Sequence, residues 1–342
     1  MEILSLNESS NIATEADELC CFIEQNADAL RNGKIGKNGR LANRSIELLQ
    51  IGRNAVYRIP GQNRWYLKMP CNGKTRGIIG EINGFRFIRD NFQNLEFYLH
   101  PAAIRSSLEE KYLLSAEVPG KQLNYKLYRA CFRPGAKRGK QLENIFYRCG
   151  TMLGQFHKNG QGIDLPEVRR LDFILQRRIE KVKSLDKTGE KIARWLEENR
   201  STDDQHTIVH GNCTFRNILV DGNRLSLIDF ETCGSGSRYN DLARMCSDII
   251  LCRTAIAFPW KRAYVALAAF QKGYSEMFPF DREQLLKFIA YYIFDRYIQV
   301  YGIKRKKESI SGIPVSRAKL NRLHERLLTG DTEGVFNLSR QS

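Results

Sequence analysis

The sequence predicts an α+β fold of two lobes, a small mainly β N-lobe followed by a larger mainly α C-lobe. A chain of 342 residues suits two domains, or one domain with two lobes. Between residues 47 and 70, short β-rich runs alternate with turn residues, whereas helical patterns dominate after Pro119-Gly120. The boundary between the lobes is therefore expected near residue 119.

The first 40 residues are predicted to form a polar extension that contains a helix. The stretch "ATEADELCCFIEQNADALRNG" has helical spacing, and a Gly/Lys/Asn-rich connection follows it. The N-lobe is expected to span residues 41–118. Its first three strands are separated by turns at Gly52–Asn54 and at Pro60–Asn63.

Two residues of the predicted N-lobe combine charge with a defined element. Lys68 lies on the third strand, and Glu81 is expected in the first turn of a helix over "GEINGFRFIRDNF". Two further strands are predicted within residues 95–118. The C-lobe, residues 119–342, is expected to be helical apart from two short strands, "TIVHGN" and "RLSLIDFE", which flank a loop.

The basic composition indicates which class of partner the protein binds. Lys and Arg number 54 and Asp and Glu 38, giving a formal charge of +16. Such an excess favours an anionic partner, namely phosphates, an acidic glycan, an anionic membrane surface or nucleic acid, although a merely basic surface is the simpler alternative. The nine cysteines show no zinc spacing, and neither a signal peptide nor a membrane span is evident. We expect a cytoplasmic protein with reduced thiols.

Four features have the order that phosphoryl transfer requires. That chemistry needs a cation on the nucleotide phosphates, oxygen ligands for Mg²⁺ and a group that orients the attacking hydroxyl. A lysine held by a glutamate can reach the phosphates, which assigns the first role to Lys68 and Glu81. Alone this pair is a weak signal, since two unrelated surface charges would look the same.

The second feature is the loop in "IVHGNCTFRNIL", where Asn217 follows position 212 at the D-x-x-x-x-N spacing of a kinase loop. Asn217 would offer an amide oxygen to Mg²⁺, and His210 would brace the loop. The third is Asp229, a carboxylate at the end of an apolar strand and a candidate metal ligand. The fourth is Asp241, either a helix N-cap or a fastener of the loop backbone.

Together these motifs resemble the aminoglycoside phosphotransferase and choline kinase-like family, a branch of the protein-kinase-like fold. The family motif HGDxxxxN appears as "HGNCTFRN", and its metal motif appears as "IDFETCGSGSRYNDLA". The element "LLSAEVPGKQL" is similar to its hinge, and "LGQFHKNG" is a looser match to one of its helices. The resemblance extends from about residue 48 to about residue 300.

The resemblance implies ATP and Mg²⁺ as cofactors. Lys68, positioned by Glu81, would contact the phosphates, and Asn217 and Asp229 would hold Mg²⁺. The turn at Gly52–Asn54 would cover the nucleotide, with Gly52 and Asn54 as binding residues. Backbone groups at Ser115–Val118 would meet the adenine.

Position 212 departs from the family pattern, because Asn212 stands where the motif has Asp. An amide cannot act as a base, but it can accept a hydrogen bond from the acceptor hydroxyl. Asn212 is therefore compatible with a slow enzyme and with a nucleotide-binding pseudokinase. The retention of every other site residue favours the enzyme. Three carboxylates near in sequence are alternative bases: Asp203, Asp204 and Asp221.

The acceptor is expected to be a small molecule or glycan that is anionic, such as a lipopolysaccharide sugar. Basic residues in the C-lobe could line such a site or an anionic membrane surface. They are Arg169, Arg170, Arg177, Arg178, Lys304, Arg305, Lys306 and Lys307. A nucleic-acid-binding protein is a second possibility, but no zinc finger, helix-turn-helix or RNP motif is visible.

Overall fold

The computed structural model describes most of the chain. The described ranges are 2–3, 10–31, 39–41, 44–51, 54–71, 75–92, 95–101, 104–107, 109, 111–132, 135–168, 171–180, 187–199, 206–252, 260–298, 309–310, 313–314 and 317–331. None of the helices within these ranges is long and apolar enough to cross a membrane.

Helices and strands are both well represented, which confirms the predicted α+β class. The strands are β1 (Glu2–Ile3), β2 (Gly39–Leu41), β3 (Arg44–Ile51), β4 (Asn54–Pro60), β5 (Arg64–Pro70), β6 (Ile104–Ser107), β7 (Tyr112–Ala116), β8 (Lys121–Gln122), β9 (His206–Val209), β10 (Ile218–Asp221), β11 (Arg224–Leu227), β12 (Gly234–Ser237), β13 (Ser309–Ile310) and β14 (Ile313–Pro314). The helices are α1 (Ser10–Gln25), α2 (Ala27–Arg31), α3 (Arg76–Asn91), α4 (Leu123–Phe132), α5 (Ala136–Asn159), α6 (Leu171–Glu180), α7 (Lys187–Glu198), α8 (Tyr239–Cys252), α9 (Trp260–Met277), α10 (Arg282–Tyr297) and α11 (Arg317–Leu328).

The chain forms two compact units. The first unit comprises Met1–Gly120 and Leu219–Gly234, and the second comprises Lys121–Ile218 and Ser235–Ser342. The first unit is built on a seven-stranded antiparallel sheet in the order β1-β6-β7-β5-β4-β3-β2. The second unit is mainly helical.

The N-terminal helices belong to the core of the first unit. Leu19 and Ile23 of α1 and Leu30 of α2 are buried in the same cluster as the sheet residues Tyr57 and Trp65. The Tyr57 hydroxyl donates to the Leu30 carbonyl at 2.5 Å. Burial of large apolar side chains therefore fixes α1 and α2 on one face of the sheet.

Close helix packing in the second unit depends on glycine. A Cβ at Gly150 of α5 would lie 2.0 Å from the Phe270 carbonyl oxygen of α9, and one at Gly273 would lie 2.1 Å from that of Tyr147. Only residues without a side chain allow the two backbones to approach this closely.

Three sequence predictions about element boundaries were wrong. Helix α3 begins at Arg76, so Glu81 is its sixth residue and lies in the second turn. Helix α8 begins at Tyr239, which places Asp241 inside the first turn. Residues 95–100 form no strand of the large sheet, since only Tyr98 makes a bridge there, to Leu225.

Candidate active site

Lys68 is placed by the alternation of β5. Trp65, Leu67 and Met69 are fully buried in the core cluster, whereas Tyr66 and Lys68 are only partly buried. Successive side chains of a strand point to opposite faces, so the apolar residues anchor the strand while Lys68 projects from its other face.

Lys68 lies between two carboxylates. Its Nζ forms an ion pair with Oε1 of Glu81 on α3 and a second one with Oδ1 of Asp229, at 2.7 Å. The Glu81 side chain is 1% exposed, and the side chain of Asp229 keeps 35% of its surface accessible. We call Lys68, Glu81 and Asp229 the charge triad. The structure thus brings Asp229 to Lys68, which lies 161 residues earlier in the sequence.

Two glycines of α3 allow the segment after Asp229 to come close. A Cβ at Gly84 would lie 2.4 Å from Cγ of Phe230, and one at Gly80 would lie 2.7 Å from the Glu231 carbonyl oxygen. The two glycines are four residues apart and share one face of the helix. Phe230 is fully buried there and meets Phe85 edge to face at 5.1 Å. This contact anchors the backbone next to Asp229.

The backbone at Asp229 is unusual. Its φ of 68° lies in the left-handed region, which only Asp229 and Lys111 occupy among the described residues other than glycine. Aspartate tolerates this conformation better than most residues, at a modest cost in energy. Strand β11, which precedes it, is held by Tyr98, whose hydroxyl accepts the Leu227 N–H at 3.1 Å. A strained residue between two anchored segments is frequent at functional sites.

The charge triad fits a nucleotide carried with Mg²⁺. Burial disfavours the charged form of Lys68, but Glu81 and Asp229 outweigh it and raise the pKa of the lysine above 10.5. The lysine is therefore a fixed cation that suits phosphate oxygens. Across the described ranges, no group of three His, Cys, Asp or Glu could hold a metal alone. Mg²⁺ commonly takes one or two carboxylates and completes its shell with phosphates and water, which matches this donor set.

The second unit holds the loop of residues 210–217, which Asp241 supports. Oδ2 of Asp241 accepts the His210 N–H at 2.6 Å, and Oδ1 accepts the Cys213 N–H at 3.4 Å. Asp241 and His210 are both fully buried. Gly211 has a φ of 75°, so the loop turns where a side chain would be strained.

A buried histidine on α5 supports Asp241 in turn. Nε2 of His157 lies 3.4 Å from Oδ2 of Asp241, and Nδ1 lies 2.8 Å from the Tyr274 hydroxyl. Burial lowers the pKa of His157, so the imidazole is neutral at pH 7. For Asp241, burial favours the neutral acid, but His157 and His210 outweigh it and hold its pKa below the usual range.

Asn212 is exposed in this loop, whereas Asn217 is buried. Nδ2 of Asn217 donates to the Asn212 carbonyl at 2.9 Å, and the Asn212 N–H donates to Nδ1 of His210 at 3.3 Å. The Asn212 side chain is exposed and makes no hydrogen bond with any residue that the structure describes. Its amide is accessible to an acceptor hydroxyl.

The remaining candidates have varied positions. Gly52 lies outside the described residues, and so do Asp203, Asp204, Arg169, Arg170 and the basic run 304–307. Asn54 is buried at the start of β4, opposite Pro70. Ser115 and Ala116 end β7. Arg177 lies over the ring of Phe173 on α6, and Arg178 forms an ion pair with Asp295.

Several residues that shape this site carried no interpretable signal in the sequence. The role of Gly80 and Gly84 depends on Phe230, about 150 residues away. His157 lies inside the recognised stretch "LGQFHKNG", but nothing local shows that it meets Asp241. Such partners become visible only through the long-range fold.

Comparison with known proteins gives the family. A model of the phosphotransferase enzyme family matches residues 107–285, more than half of the chain. The chain belongs to this phosphotransferase family. A search of curated proteins finds no match. Membership confirms the predicted family and enzyme class, a phosphotransferase with an alcohol acceptor that uses ATP and a small-molecule substrate.

Solved structures share the fold of this phosphotransferase. The amicoumacin kinase hAmiN, in complex with AMP-PNP, Ca²⁺ and Ami, is 14% identical with a TM-score of 0.58, over 88% of this chain and 92% of its own. A choline/ethanolamine kinase family protein from Mesorhizobium loti is 13% identical with a TM-score of 0.53, and the match covers 94% of this chain and 95% of that protein. An aminoglycoside-3'-phosphotransferase of type VIII is 18% identical with a TM-score of 0.51, and the match covers 81% of this chain and 99% of that protein. These likenesses confirm the predicted protein-kinase-like fold.

Proposed function

We propose that this phosphotransferase moves the γ-phosphate of Mg-ATP to a hydroxyl of a small-molecule or glycan acceptor that carries negative charge, such as a lipopolysaccharide sugar. The observation that carries the proposal is the intact charge triad, because an ion pair buried on one side is costly to retain without a use. The net charge of +16 supports an anionic acceptor and would suit peripheral contact with an anionic membrane surface.

Each site residue has a defined role in this proposal. Lys68 binds phosphate oxygens, and Glu81 holds the lysine in place. Asp229 and Asn217 would supply oxygen ligands for Mg²⁺, which would neutralise the charge that develops on the phosphates. His210 and Asp241 fix the backbone of loop 210–217, while Gly52 and Asn54 contribute to nucleotide binding.

Asn212 orients the acceptor hydroxyl in place of a base. The acceptor oxygen forms its bond to the γ-phosphorus while the bond to the bridging oxygen of ADP breaks. In a loose transition state the new bond is weak, so the hydroxyl keeps its proton until late and can release it to water or to a phosphoryl oxygen. Positioning and electrostatics then provide most of the acceleration.

A nucleotide-binding pseudokinase is the alternative with which Asn212 is equally compatible, since no carboxylate stands in loop 210–217. Such a protein would bind Mg-ATP without transferring phosphate. Transfer of labelled γ-phosphate from Mg-ATP into a fractionated cell extract separates the two functions. The proposal predicts label in at least one fraction with wild type and none with Asp229→Ala.

The matched control is Asp90→Ala, which removes an aspartate of the same unit whose side chain is 56% exposed. This variant should label the extract as wild type does. Stabilisation of wild type by Mg-ATP without any labelling would reject the proposal and support the pseudokinase.

A further inference from the structure

Loop 210–217 carries an exposed arginine next to the proposed metal ligand Asn217. Arg216 makes neither a hydrogen bond nor an ion pair with the residues that the structure describes. The backbone on both sides of it is nevertheless fixed. Phe215 is buried and its carbonyl accepts the Leu123 N–H at 3.1 Å, while the Asn217 N–H donates to Thr214 at 3.0 Å. A fixed backbone thus presents an accessible guanidinium.

The side chains beneath this loop add further positive charge. The buried carboxylate of Asp248 on α8 accepts the Phe215 N–H, and Nε of Arg244 lies 3.9 Å from its Oδ1. Arg216 and Arg296 also interact electrostatically with Asp248. The arginine cluster consists of Arg178, Arg216, Arg244 and Arg296, and its carboxylates are Asp248 and Asp295.

Among the described residues, the arginine cluster contains four guanidinium groups and two carboxylates, so it has an excess of positive charge. Burial and the charges of Arg244 and Arg216 lower the pKa of Arg296, although Asp248 and Asp295 oppose this effect. An added anion would relieve this repulsion. Because position 212 is Asn, loop 210–217 itself contributes no negative charge.

We propose that Arg216 binds an anionic group of the acceptor, a carboxylate or a phosphate, and so selects acidic acceptors. This inference rests on the proposed function. A guanidinium presents a planar set of donors that matches the oxygens of either group. One loop then recognises two groups of the acceptor. The Asn212 amide binds the hydroxyl, and the guanidinium of Arg216, four residues later in the sequence, binds the anionic group.

Kinetics with a matched set of sugars tests the selection. Glucose, glucuronate and glucose 6-phosphate are offered with Mg-ATP to wild type and to Arg216→Gln. The variant should lose about 10- to 100-fold in kcat/KM with the acidic sugars, the range for a lost charged hydrogen bond, mainly through KM. Its kcat/KM with glucose and its KM for ATP should change less than about threefold. Glucuronate and glucose 6-phosphate distinguish a carboxylate from a phosphate.

Two further variants serve as controls. Arg129→Gln removes an exposed arginine of α4 in the same unit and should leave the preference unchanged. Arg216→Lys keeps the charge but not the fork, so it should retain part of the preference. An equal loss with all three sugars, or a raised KM for ATP, would overturn the inference by giving Arg216 a general or a nucleotide-binding role.

Calorimetric titration of the same sugars separates this inference from the proposed function. Tighter binding of an acidic sugar than of glucose, abolished in Arg216→Gln, supports the inference even when no phosphate is transferred. Transfer to glucose with no preference for the acidic sugars would leave the proposed function intact and contradict the inference. Absence of any acidic preference in binding contradicts it as well.

Discussion

At the scale of single residues, the defining feature is an amide where a carboxylate base would stand. The Asn212 side chain is exposed, and the loop around it is held by Asp241 through two backbone N–H groups. The loop is therefore supported independently of the residue at position 212. This separation explains how a chain can lose the base and keep the loop.

Replacing Asn212 with aspartate tests how much the amide lowers the rate of phosphate transfer. The variant Asn212→Asp should raise kcat by about 10- to 100-fold, which reaches only the lower limit of the range that general bases contribute. The gain stays modest because a loose transition state needs little proton removal. Steady-state transfer rates at saturating Mg-ATP measure it, and an unchanged or lower kcat would show that residue 212 does not act on the acceptor hydroxyl.

The buried pair of His157 and Asp241 predicts how stability depends on pH. Both pKa values are lower in the folded protein than in the unfolded chain, so the unfolded chain binds more protons as the pH falls. The stabilisation from His157 is complete above its unfolded pKa of about 6.5 and is lost as the pH falls through the lowered folded value. Asp241 adds a second loss at more acidic pH.

Thermal unfolding between pH 7.5 and pH 5 measures this effect. The melting temperature of wild type should fall as the pH decreases. His157→Gln, which retains polar groups but does not titrate, should be less stable at pH 7.5 and show a shallower decline. Parallel profiles for the two proteins would assign the decline to other groups.

At the scale of elements, the contact between α3 and the segment after Asp229 determines the geometry of the charge triad. Gly80 and Gly84 leave one face of the helix without side chains, and Phe230 packs against this face. Glu81 lies on the same helix and Asp229 directly precedes Phe230. Displacement of this contact would move two carboxylates relative to Lys68.

A methyl group on this face should disturb both stability and activity. Gly84→Ala places a carbon 2.4 Å from Cγ of Phe230, a clash that should destabilise the protein by about 1–3 kcal/mol. Phosphate transfer should fall as well, because Asp229 shifts with Phe230. Denaturant unfolding and transfer kinetics of one preparation give both values.

The control is Gly139→Ala in α5, where an added Cβ meets no atom within 4 Å. That change should stabilise the protein by about 0.5–1 kcal/mol, since alanine favours a helix over glycine. Its transfer rate should remain that of wild type. A destabilising Gly139→Ala together with a neutral Gly84→Ala would contradict the packing described for α3.

Pattern and packing explain which elements the sequence could predict. The alternation in β5 placed Lys68 on a strand, because the period of a strand is a local property. The start of α3 was missed because Gly77 and Gly80 lower helix propensity. Both positions require glycine because a distant segment, Phe230 and Glu231, packs against them. The predicted turn residue Gly52 stays a prediction.

At the scale of the whole molecule, sequence reasoning reached the family and the lobed α+β class because the motifs keep their order along the chain. It could not predict the arginine cluster, because the members of this cluster come from loop 210–217 and from α6, α8 and α10. No local pattern links such positions. The net charge of +16 indicated an anionic partner but not where that partner binds.

Nucleotide binding should stabilise the whole chain. Mg-ATP at about 100 times its Kd should add about 2.7 kcal/mol to the free energy of unfolding. Lys68→Met should abolish most of this increment, because the phosphates lose their cation, and should also destabilise the protein by leaving Glu81 without its lysine. The thermal shift is measured for each protein with and without nucleotide. The difference between the two values excludes the destabilisation that the substitution itself causes. An undiminished increment would exclude Lys68 from nucleotide binding.

We propose that electrostatics from the charge triad, rather than a base at position 212, drives phosphate transfer. This role is tested by comparing kcat at saturating Mg-ATP for wild type, Asn212→Ala and Asp229→Ala. Asn212→Ala should lose about 10-fold in kcat, equivalent to one neutral hydrogen bond. Asp229→Ala should show no transfer above background. Transfer by Asp229→Ala at the wild-type rate would contradict this role of the charge triad.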